Sequence, residues 1–517
     1  MLSFWIAATY ALFVEIFGQP QATPTSQSSL ALICTSTREP IEPTGNRPYP
    51  PIHILHDDDL LNIFHLYRPD VPDECNGGDR SRQCWWYKLA RVCRRWRYLI
   101  LASPSQLHLH LICTNGVPIA NMLAHSPPLP LTIYYRKRRR GTTQEDKEGI
   151  LLALKHSDRV HYMSLFLPTR KLQKIIATMD EQFPILERLY IVSGTVGDRS
   201  LVLPRTFQAP HLRHLFLWPA ALPIGAQLLL NTVGLVTLTL LDIPPSAYFS
   251  PNYLLTRLSL MPQLEILAIH FHSPPSLPNR YVENQPLDTP MNHITLSNLR
   301  QFSFKGVSAY LEGLLAHISA PILSNLHMVL CNQLTLTVPL LLQFMDTAPS
   351  FSAVRLAFDN DLAGLEAYQL RGQRSYRFKV QIMCRQLVAS VVQILGTLQP
   401  VLSVVDKLTI SHGEPNLLSE WHNEVDRTLW RQLLIPFSNL KTLHVQNELA
   451  GKLARSLQTD GGKPPLRLLP NLKEVGYSGG CDTRDAFTPF INKRREVGHP
   501  VSLSMVDDSV FSQPWLW

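Results

Sequence analysis

Carboxylates and cysteines are the first side chains of this chain to consider for metal chemistry. Asp57, Asp58 and Asp59 are consecutive. Three adjacent residues at a helix start do not all face one point, so helix capping explains them better than a divalent-metal site does. Cys75 and Cys84 bracket a polar loop, but a structural zinc needs four suitable ligands and the sequence offers no convincing set. We therefore predict no metal site.

Sequence motifs of common catalytic sites are missing. The chain contains no Gly-x-x-x-x-Gly-Lys-Ser/Thr phosphate loop, no Gly-x-Gly-x-x-Gly fingerprint, no Gly-x-Ser-x-Gly elbow and no His-Glu-x-x-His helix. Several histidines stand beside predicted strand positions, where we expect partly exposed side chains on a concave sheet face. These histidines are His214, His270, His272, His327 and His444. The sequence predicts a protein that is not an enzyme and has no catalytic residue and no cofactor.

Charge and cysteine content favour a protein of a reducing compartment. The 517 residues are 45% hydrophobic and carry a formal net charge of +8. Much of the excess charge lies in two basic clusters, residues 91–97 and 136–140. The eight cysteines are spread along the chain without a Cys-x-x-Cys pair, unlike those of a disulfide-stapled secreted domain. We predict a location in the cytoplasm, the nucleus or both.

The basic cluster at residues 136–140 follows an apolar strand at 129–135 and precedes a polar stretch, which places it on a loop. A solvated loop is the simplest interpretation. A nuclear-import signal or a patch for acidic partners, including phosphates, is the functional alternative. Nucleic-acid binding would need a continuous basic surface interleaved with aromatic residues, which the rest of the chain does not supply. We predict no nucleic-acid partner.

The N-terminal region, residues 1–51, has two parts. Residues 1–18 are apolar but lack a basic leading region and contain Glu15. Three interpretations fit: a secretory or membrane segment, a docked amphipathic helix, or a wrongly assigned start. We predict no membrane partner. Residues 19–51 are rich in Pro, Ser, Thr and Gln, which predicts a disordered linker.

Residues 52–104 have the pattern of a small helical module. The acidic residues 57–59 precede apolar residues at helical spacing, which predicts an amphipathic helix. A polar loop at 73–82 leads to a second apolar-periodic stretch between Trp86 and Ile100. One interpretation is that so small a module cannot bury all these apolar groups alone and therefore has a partner surface. The alternative is that these residues are the core of an ordinary small helical domain.

Two segments of this module resemble the F-box motif. The first is Ile54-Leu55-His-Asp-Asp-Asp-Leu60-Leu61-Asn-Ile63-Phe64, with His56 where the motif usually has proline. The second is Leu89-Ala-Arg-Val92-Cys93-Arg94-Arg95-Trp96-Arg97-Tyr-Leu99-Ile100, whose Val-Cys-Arg-Arg-Trp core is the specific part. The resemblance implies a three-helix fold that binds the Skp-type adaptor of a cullin-based ubiquitin ligase. The adaptor-binding residues that it implies are Leu55, Leu60, Leu61, Ile63, Phe64, Leu89, Val92, Cys93, Trp96 and Leu99.

The rest of the chain, residues 105–510, repeats one apolar pattern. Each unit has an apolar residue, two variable residues, an apolar residue, one variable residue and a further apolar residue. Leu186-Glu-Arg-Leu189-Tyr-Ile191 and Leu212-Arg-His-Leu215-Phe-Leu217 are examples. Most units start about 23–35 residues apart, near the length of a leucine-rich repeat. The alternation in the last three positions predicts a strand with one buried face.

Helices are predicted between these strands, so that each unit is strand, loop, helix, loop. The predicted helices lie at residues 171–179, 226–231, 311–318 and 339–345. The gap between the units at Phe351 and Val405 is wide enough for one divergent repeat, with strand residues Tyr376, Phe378 and Val380 and a helix at 383–398. A helix at 485–495 and a strand at 500–505 fit a C-terminal capping repeat.

These observations predict an α/β fold: a small three-helix F-box-like module followed by a curved leucine-rich-repeat solenoid, with a parallel sheet inside and helices outside. The arrangement resembles the expanded F-box-like families of mushroom-forming fungi. That resemblance implies a substrate-recognition adaptor of a cullin-type (SCF) ubiquitin ligase. Its partners would be a Skp-type adaptor with its cullin scaffold and an unknown target protein. The predicted target contacts are Arg188, Tyr190, His214, Phe216, Thr239 and His270, which stand between the strand apolar residues.

Three other functions remain open. A leucine-rich-repeat interaction scaffold with no ubiquitin role would share the repeat array but would not bind the adaptor. A membrane or secreted repeat protein rests on residues 1–18 alone. A hydrolase or transferase has no catalytic constellation in its support.

Overall fold

The structure of the chain is a computed structural model. It describes residues 55–67, 85–136, 143–193, 201–222, 227–272, 293–331, 338–344, 351–359, 362–369, 377–383, 387–412, 427–458, 468–478, 481–507 and 511. The predicted N-terminal segment (1–18), the linker (19–51), the polar loop (73–82) and basic residues 137–140 lie outside these ranges. The described residues divide into two compact units. The first contains those up to Cys113 together with Pro118–Thr132, and the second contains Thr114–Val117 and those from Ile133 onwards.

The first unit is helical. Its helices are α1 (Asp57–Tyr67), α2 (Trp85–Ala90), α3 (Arg94–Ala102) and α4 (Ile119–His125). Three aspartates occupy the first turn of α1, where negative charge is favourable. The second apolar-periodic stretch is divided between α2 and α3 because the chain turns at Arg91 and Val92. Leu60, Phe64, Leu99 and Ile100 are buried and form the centre of the unit.

The second unit is an α/β array. Strands β1 (Leu111–Thr114) and β2 (Leu131–Arg136) have residues in both units. The strands that follow them are β3 (Val160–Leu167), β4 (Arg188–Ser193), β5 (Leu201–Val202), β6 (His214–Trp218), β7 (Ala220–Ala221), β8 (Thr237–Ile243), β9 (Ile266–Phe271), β10 (Ile294–Thr295), β11 (Gln301–Gly306), β12 (Ile318–Ser319), β13 (Asn325–Cys331), β14 (Ala353–Phe358), β15 (Leu362–Tyr368), β16 (Arg377–Met383), β17 (Lys407–His412), β18 (Thr442–Val445), β19 (Glu474–Tyr477) and β20 (Ser502–Met505). Its helices are α5 (Gln144–Leu154), α6 (Thr169–Ile176), α7 (Leu228–Asn231), α8 (Pro251–Leu258), α9 (Ser308–Leu315), α10 (Pro339–Phe344), α11 (Leu387–Thr397), α12 (Gln399–Leu402), α13 (Arg427–Leu434), α14 (Asn447–Leu457) and α15 (Cys481–Glu496). Two short 3₁₀ turns lie at Ser157–Arg159 and Pro245–Ala247.

One large sheet connects these elements. Among the described residues it has 16 strands, in the order β1-β2-β3-β4-β6-β8-β9-β11-β13-β16-β15-β14-β17-β18-β19-β20. The strands of successive units are parallel and in register, so that Leu189 pairs with Leu215 and Leu215 with Leu238. Between them, helices contact their neighbours in chain order, for example α13, α14 and α15. The second unit therefore has the strand and helix alternation of a leucine-rich-repeat-like array.

The sheet departs from the prediction at the wide gap between repeats. The expected divergent repeat supplies β16, which is parallel to β13. An additional strand, β15, lies between β16 and β14 and is antiparallel to both. The sheet is consequently mostly, but not wholly, parallel. Since β15 pairs along its whole length with β14 and β16, the sheet is continuous where a regular repeat is absent.

The two faces of the sheet differ in composition. Alternate apolar residues such as Phe304 and Phe358 are buried and contact aromatic residues of the helices, Tyr310 and Trp430. This is the core face. The opposite face is formed by the residues that alternate with them, such as Ser303 and Arg355, and is called the variable face below.

Gly476 in β19 lies at a close approach on the variable face. A Cβ atom at this position would lie 2.5 Å from Val506 Cγ2 and 2.7 Å from His444 Cδ2. We expect Gly476→Ala to lower the free energy of unfolding by about 1–3 kcal/mol, because the added methyl group overpacks this contact. Thermal unfolding followed by circular dichroism measures the change.

Gly396 in α11 provides the matched control. A Cβ atom there would meet no described atom within 4 Å. Because alanine favours a helix over glycine by about 0.5–1 kcal/mol, Gly396→Ala should leave stability unchanged or raise it. If both variants unfold at the wild-type temperature, the tight contact at Gly476 does not exist.

Candidate protein-interaction surfaces

One arginine joins the two motif segments of the first unit. Arg95 Nη2 donates hydrogen bonds to Asp57 Oδ1 and to the carbonyl oxygen of Leu55, both at 2.6 Å. Arg95 Nε donates to the same carboxylate oxygen at 3.0 Å. Such a half-exposed pair adds little stability, about 1 kcal/mol or less, but it fixes geometry. Arg95 therefore holds the start of α1 against α3, and its carboxylate partner is one of the three consecutive aspartates.

Two further motif residues hold the module together. Cys93 is the N-cap of α3, and its Sγ accepts a hydrogen bond from the backbone N–H of Trp96 at 3.4 Å. The Trp96 ring meets the ring of Phe64 edge-on, with centroids 4.8 Å apart. Edge-to-face pairs of this kind contribute about 0.5–1.5 kcal/mol beyond the area that they bury. The Cys-Arg-Arg-Trp part of the motif is therefore largely structural.

The predicted adaptor-binding residues fall into three groups by exposure. Leu60, Phe64 and Leu99 are fully buried, so they support the surface and do not form it. Leu55, Leu61, Leu89 and Trp96 are half-buried. Ile63, Val92 and Cys93 are exposed, with Ile63 at 42% and Val92 at 59%. Only members of the last two groups can contact a partner directly without rearrangement of the unit.

The motif comparison missed two strongly exposed apolar side chains. Leu66 is 84% exposed and Tyr98 is 74% exposed. Leu66 lies three residues after Ile63, so helical spacing places both side chains on one side of α1. That spacing could have identified Leu66 from the sequence. Tyr98 lines an open groove of about 410 Å³ beside α3, together with Arg94, Arg97, Leu101 and Ala102. Exposed apolar groups of this size are typical of a docking surface.

The second candidate surface begins on the variable face of β3, β4 and β6. The rings of Tyr162 and Tyr190 are 5.8 Å apart, and those of Tyr190 and Phe216 are 6.3 Å apart. Beside them, His214 Nδ1 lies 3.1 Å from Thr237 Oγ1. Aromatic side chains that follow one another across strands form a continuous apolar strip, which suits a protein partner.

All six predicted target-contact residues lie on the variable face, but only three are accessible. Arg188, Tyr190 and His214 are half-buried. By contrast, Phe216, Thr239 and His270 are 2%, 0% and 9% exposed, so they are covered in the isolated chain, and their contact with a target stays a prediction. The Phe216 ring packs against Tyr190, and Phe216 is the cross-strand neighbour of Thr239. His270 is enclosed by a hydrogen-bond network described next.

A partly buried network runs across the variable face from β9 to β16. His270 Nε2 lies 2.7 Å from Ser303 Oγ, which lies 3.3 Å from His327 Nδ1, and His327 Nε2 lies 3.0 Å from Gln381 Oε1. Because Gln381 Oε1 only accepts, His327 Nε2 must donate. A neutral His327 then accepts at Nδ1 from Ser303, and Ser303 accepts from His270. The four side chains form one directed chain of hydrogen bonds.

Burial keeps these histidines neutral. Burial lowers the pKa of His327 to about 3, aided by the positive charges of Lys379 and Arg377, while the hydrogen bond that His327 donates to Gln381 opposes the shift. Burial likewise lowers the pKa of His270 well below its ordinary value, aided by His327 and Lys305. Two other histidines predicted on strands differ in exposure: His444 is buried and His272 is exposed. The expectation of partly exposed histidines is therefore wrong for His270 and His444, which neighbouring strands cover.

Charged side chains continue the variable face towards β14. Arg377 Nε donates to Glu366 Oε1 at 2.5 Å. Arg355 donates from Nη2 to the backbone carbonyl oxygen of Phe511. Lys379 and Arg355 are only 4% and 7% exposed, although both are cationic. A peptide carbonyl from a distant part of the chain thus already lies on this surface.

The described part of the chain was compared with the geometry of a metal site and with the length of a membrane-spanning helix, and neither occurs in it. No group of three or more His, Cys, Asp or Glu residues within it is arranged to hold a metal ion. None of its helices is long and apolar enough to cross a bilayer.

Comparison with known proteins gives a structural likeness. No protein-family model matches the chain, and no curated protein matches its sequence. Among solved structures, the chain is similar to the leucine-rich repeat-containing protein LegL7 from Legionella pneumophila. That likeness covers 76% of this chain and 99% of LegL7 at 12% sequence identity, with a TM-score of 0.23. The leucine-rich-repeat-like architecture of the second unit rests on its own strand register and repeat spacing, and such an array is typical of protein-interaction scaffolds.

Proposed function

We propose that the protein is the substrate-recognition adaptor of a cullin-type (SCF) ubiquitin ligase. Its helical module would bind the Skp-type adaptor, which connects it to the cullin scaffold, and its repeat array would bind a target protein. The exposure of Ile63 and Val92 carries this proposal. Both belong to the F-box-like segments, and both are large apolar residues that an isolated small domain would bury.

The repeat array supports the target-binding half. Its variable face presents side chains in cross-strand rows, as the half-buried rings of Tyr162 and Tyr190 illustrate. A target held there would be modified because tethering raises the effective concentration of its lysines near the ubiquitin-loaded enzyme. In this role the chain needs no catalytic residue and no cofactor, and it acts in the cytoplasm, the nucleus or both.

A pull-down with purified Skp-type adaptor tests the proposal. The double variant Ile63→Asp, Val92→Asp should bind at least about tenfold more weakly than the wild type, because each change places a charge in an apolar contact. Since both side chains are exposed in the free protein, the variant should still fold, which circular dichroism checks.

Val233→Asp is the matched control for this experiment. Val233 is 56% exposed and lies in the second unit, so the same type of change there should leave adaptor binding intact. Absence of binding by the wild type contradicts the ligase assignment. Equal binding by the wild type and the double variant contradicts the assigned surface.

A second candidate function is an interaction scaffold with no ubiquitin role. The aromatic strip on β3, β4 and β6 favours it, because that strip suits a protein partner whatever the helical module does. Target binding that persists when the adaptor fails to bind would identify this alternative.

A further inference from the structure

One edge of the large sheet is accessible for pairing with a further strand. Among the described residues, the outermost strands of this sheet are β1 and β20. All four residues of β1 are buried. Ser502 and Met505 of β20 are exposed, Met505 at 76%. Within the described part of the chain, β20 is therefore the edge at which the sheet can be extended.

The backbone groups of β20 point alternately towards β19 and away from it. Ser502 and Val506 donate their N–H groups to the carbonyl oxygens of Lys473 and Tyr477, at 2.9 Å and 2.8 Å. The residues that alternate with Ser502 and Val506 direct their N–H and C=O groups to the opposite side. The residues whose backbone groups point away from β19 are Val501, Leu503 and Met505.

The core layer ends at β20 in an exposed apolar side chain. The register of the two strands pairs Leu503 with Val475 and Met505 with Tyr477, so Leu503 and Met505 belong to the core face. Val475 and Tyr477 are 0% and 8% exposed, whereas Leu503 is half-buried and Met505 is 76% exposed. An apolar layer that stays open at its edge is typical of an interface.

Strand β20 lacks the features that usually protect an exposed edge from pairing. Its sequence, Ser502-Leu-Ser-Met505, contains no lysine and no proline, and its pairing with β19 contains no bulge. Exposed edge strands of natural sheets commonly carry a charge, a proline or a bulge, because these prevent association with another strand. The outer edge of β20 therefore suits a further strand.

The strand is complementary to itself in the antiparallel direction. A two-fold axis at Leu503 places Val501 opposite Met505 of a second copy, which aligns apolar residues on the core face and serines on the variable face. The same axis places His499 opposite Asp507 of the second copy, and both of these residues are exposed. The basic last turn of α15 precedes His499. Each basic end therefore meets an acidic end.

Charge and burial both favour the antiparallel direction over the parallel one. Two parallel β20 strands would bring Lys493 and Arg495 towards the same cations of the second copy, and Asp507 towards Asp507. Like charges that face each other across strands are destabilising. A two-fold axis along the strands would also turn the two core faces to opposite sides of the sheet. Antiparallel pairing keeps both core faces on one side.

We propose that the outer edge of β20 is the docking surface for a second copy of this chain, through an antiparallel β20–β20 pair centred on Leu503. The two large sheets then form one continuous sheet, and the second copy covers Met505. Because the dimer uses both β20 edges and β1 is buried, the assembly stops at two copies. This inference does not depend on the proposed ligase function.

Sedimentation velocity of the full-length protein tests the edge. The wild type should sediment as a dimer. Met505→Lys should raise the dissociation constant of the dimer at least about tenfold, because it places a charge in an apolar contact of both copies. Since Met505 is exposed in the single chain, the variant should still fold. Val233→Lys, at a position that is 56% exposed, is the matched control and should leave the dimer intact.

Introduced cysteines test the register of the pair. With the axis at Leu503, the Cα atoms of the two Leu503 residues are about 5.5 Å apart, within reach of a disulfide bond. The two Ser502 residues are diagonal neighbours about 7–8 Å apart, which is too far for a disulfide bond. Under oxidation by diamide, Leu503→Cys should give a cross-linked dimer on a non-reducing gel. Ser502→Cys should give no more than the wild-type background.

Three results would overturn the inference: a wild type that sediments as a monomer at every concentration measured, an equally stable dimer of Met505→Lys, or equal cross-linking by Leu503→Cys and Ser502→Cys. Loss of the dimer in the double variant Ile63→Asp, Val92→Asp would do the same, because the two copies would then associate through the helical module. The wild-type mass and the adaptor pull-down are separate measurements, so the dimer and the ligase proposal can fail independently.

Discussion

Replacing Trp430 with alanine is expected to lower the free energy of unfolding of the second unit by about 3–5 kcal/mol. Trp430 in α13 is 1% exposed, and its ring meets that of Phe358 in β14 edge-on at 5.8 Å. Alanine would leave a large cavity between the helix and the sheet. Urea unfolding followed by far-ultraviolet circular dichroism measures the loss.

Two matched changes separate packing from other effects. The indole Nε1 of Trp430 has no hydrogen-bond partner among the described residues, so Trp430→Phe should retain most of the stability. Ile435, just beyond the same helix, is 55% exposed, and Ile435→Ala should change stability by less than about 0.5 kcal/mol. A loss below 1 kcal/mol for Trp430→Ala would mean that α13 does not pack on β14 as described.

The repeat strands could be predicted because their signal is local. In Leu212-Arg-His-Leu215-Phe-Leu217 the alternation of apolar and variable residues defines the strand, and β6 (His214–Trp218) forms there. Helices were predicted with small errors at their ends. The segment predicted at 311–318 forms α9 at Ser308–Leu315, because helix ends depend on caps and packing more than on periodicity.

The additional strand β15 could not be predicted from its own residues. Its sequence, Leu362-Ala-Gly-Leu-Glu-Ala-Tyr368, contains glycine, alanine and glutamate, which are uncommon in strands. It becomes a strand because two partners, β14 and β16, pair with it on both sides. Such pairing is a tertiary effect that no local pattern records.

The exposure of the selected residues could not be predicted from the sequence. Motif spacing selected both Ile63 and Phe64, yet only packing against Trp96 decides that Phe64 is buried and Ile63 exposed. On the variable face, alternation placed His270 correctly. Its burial depends on Ser303 of β11 and on His327 of β13, which are brought together by the order of strands in the sheet.

The buried histidines make the second expected result one of pH dependence. In the folded chain His327 stays neutral at pH 5, because burial lowers its pKa to about 3, and burial lowers the pKa of His270 in the same direction. In the unfolded chain a histidine has a pKa of about 6.5. Between these values the unfolded state binds protons that the folded state does not, so stability falls as pH falls. The contribution is complete above about pH 6.5 and is lost progressively towards pH 3.

The magnitude follows from the same linkage relation. Lowering the pH from 7.5 to 5 should cost about 2 kcal/mol for His327, and the lowered pKa of His270 should add to the loss in the same direction. Urea unfolding at several pH values between these limits measures the slope. His327→Gln should reduce it, because glutamine can still bond Ser303 and Gln381 but does not titrate, whereas His211→Gln, at an exposed position, should not. If His327→Gln leaves the slope unchanged, His327 is not held neutral.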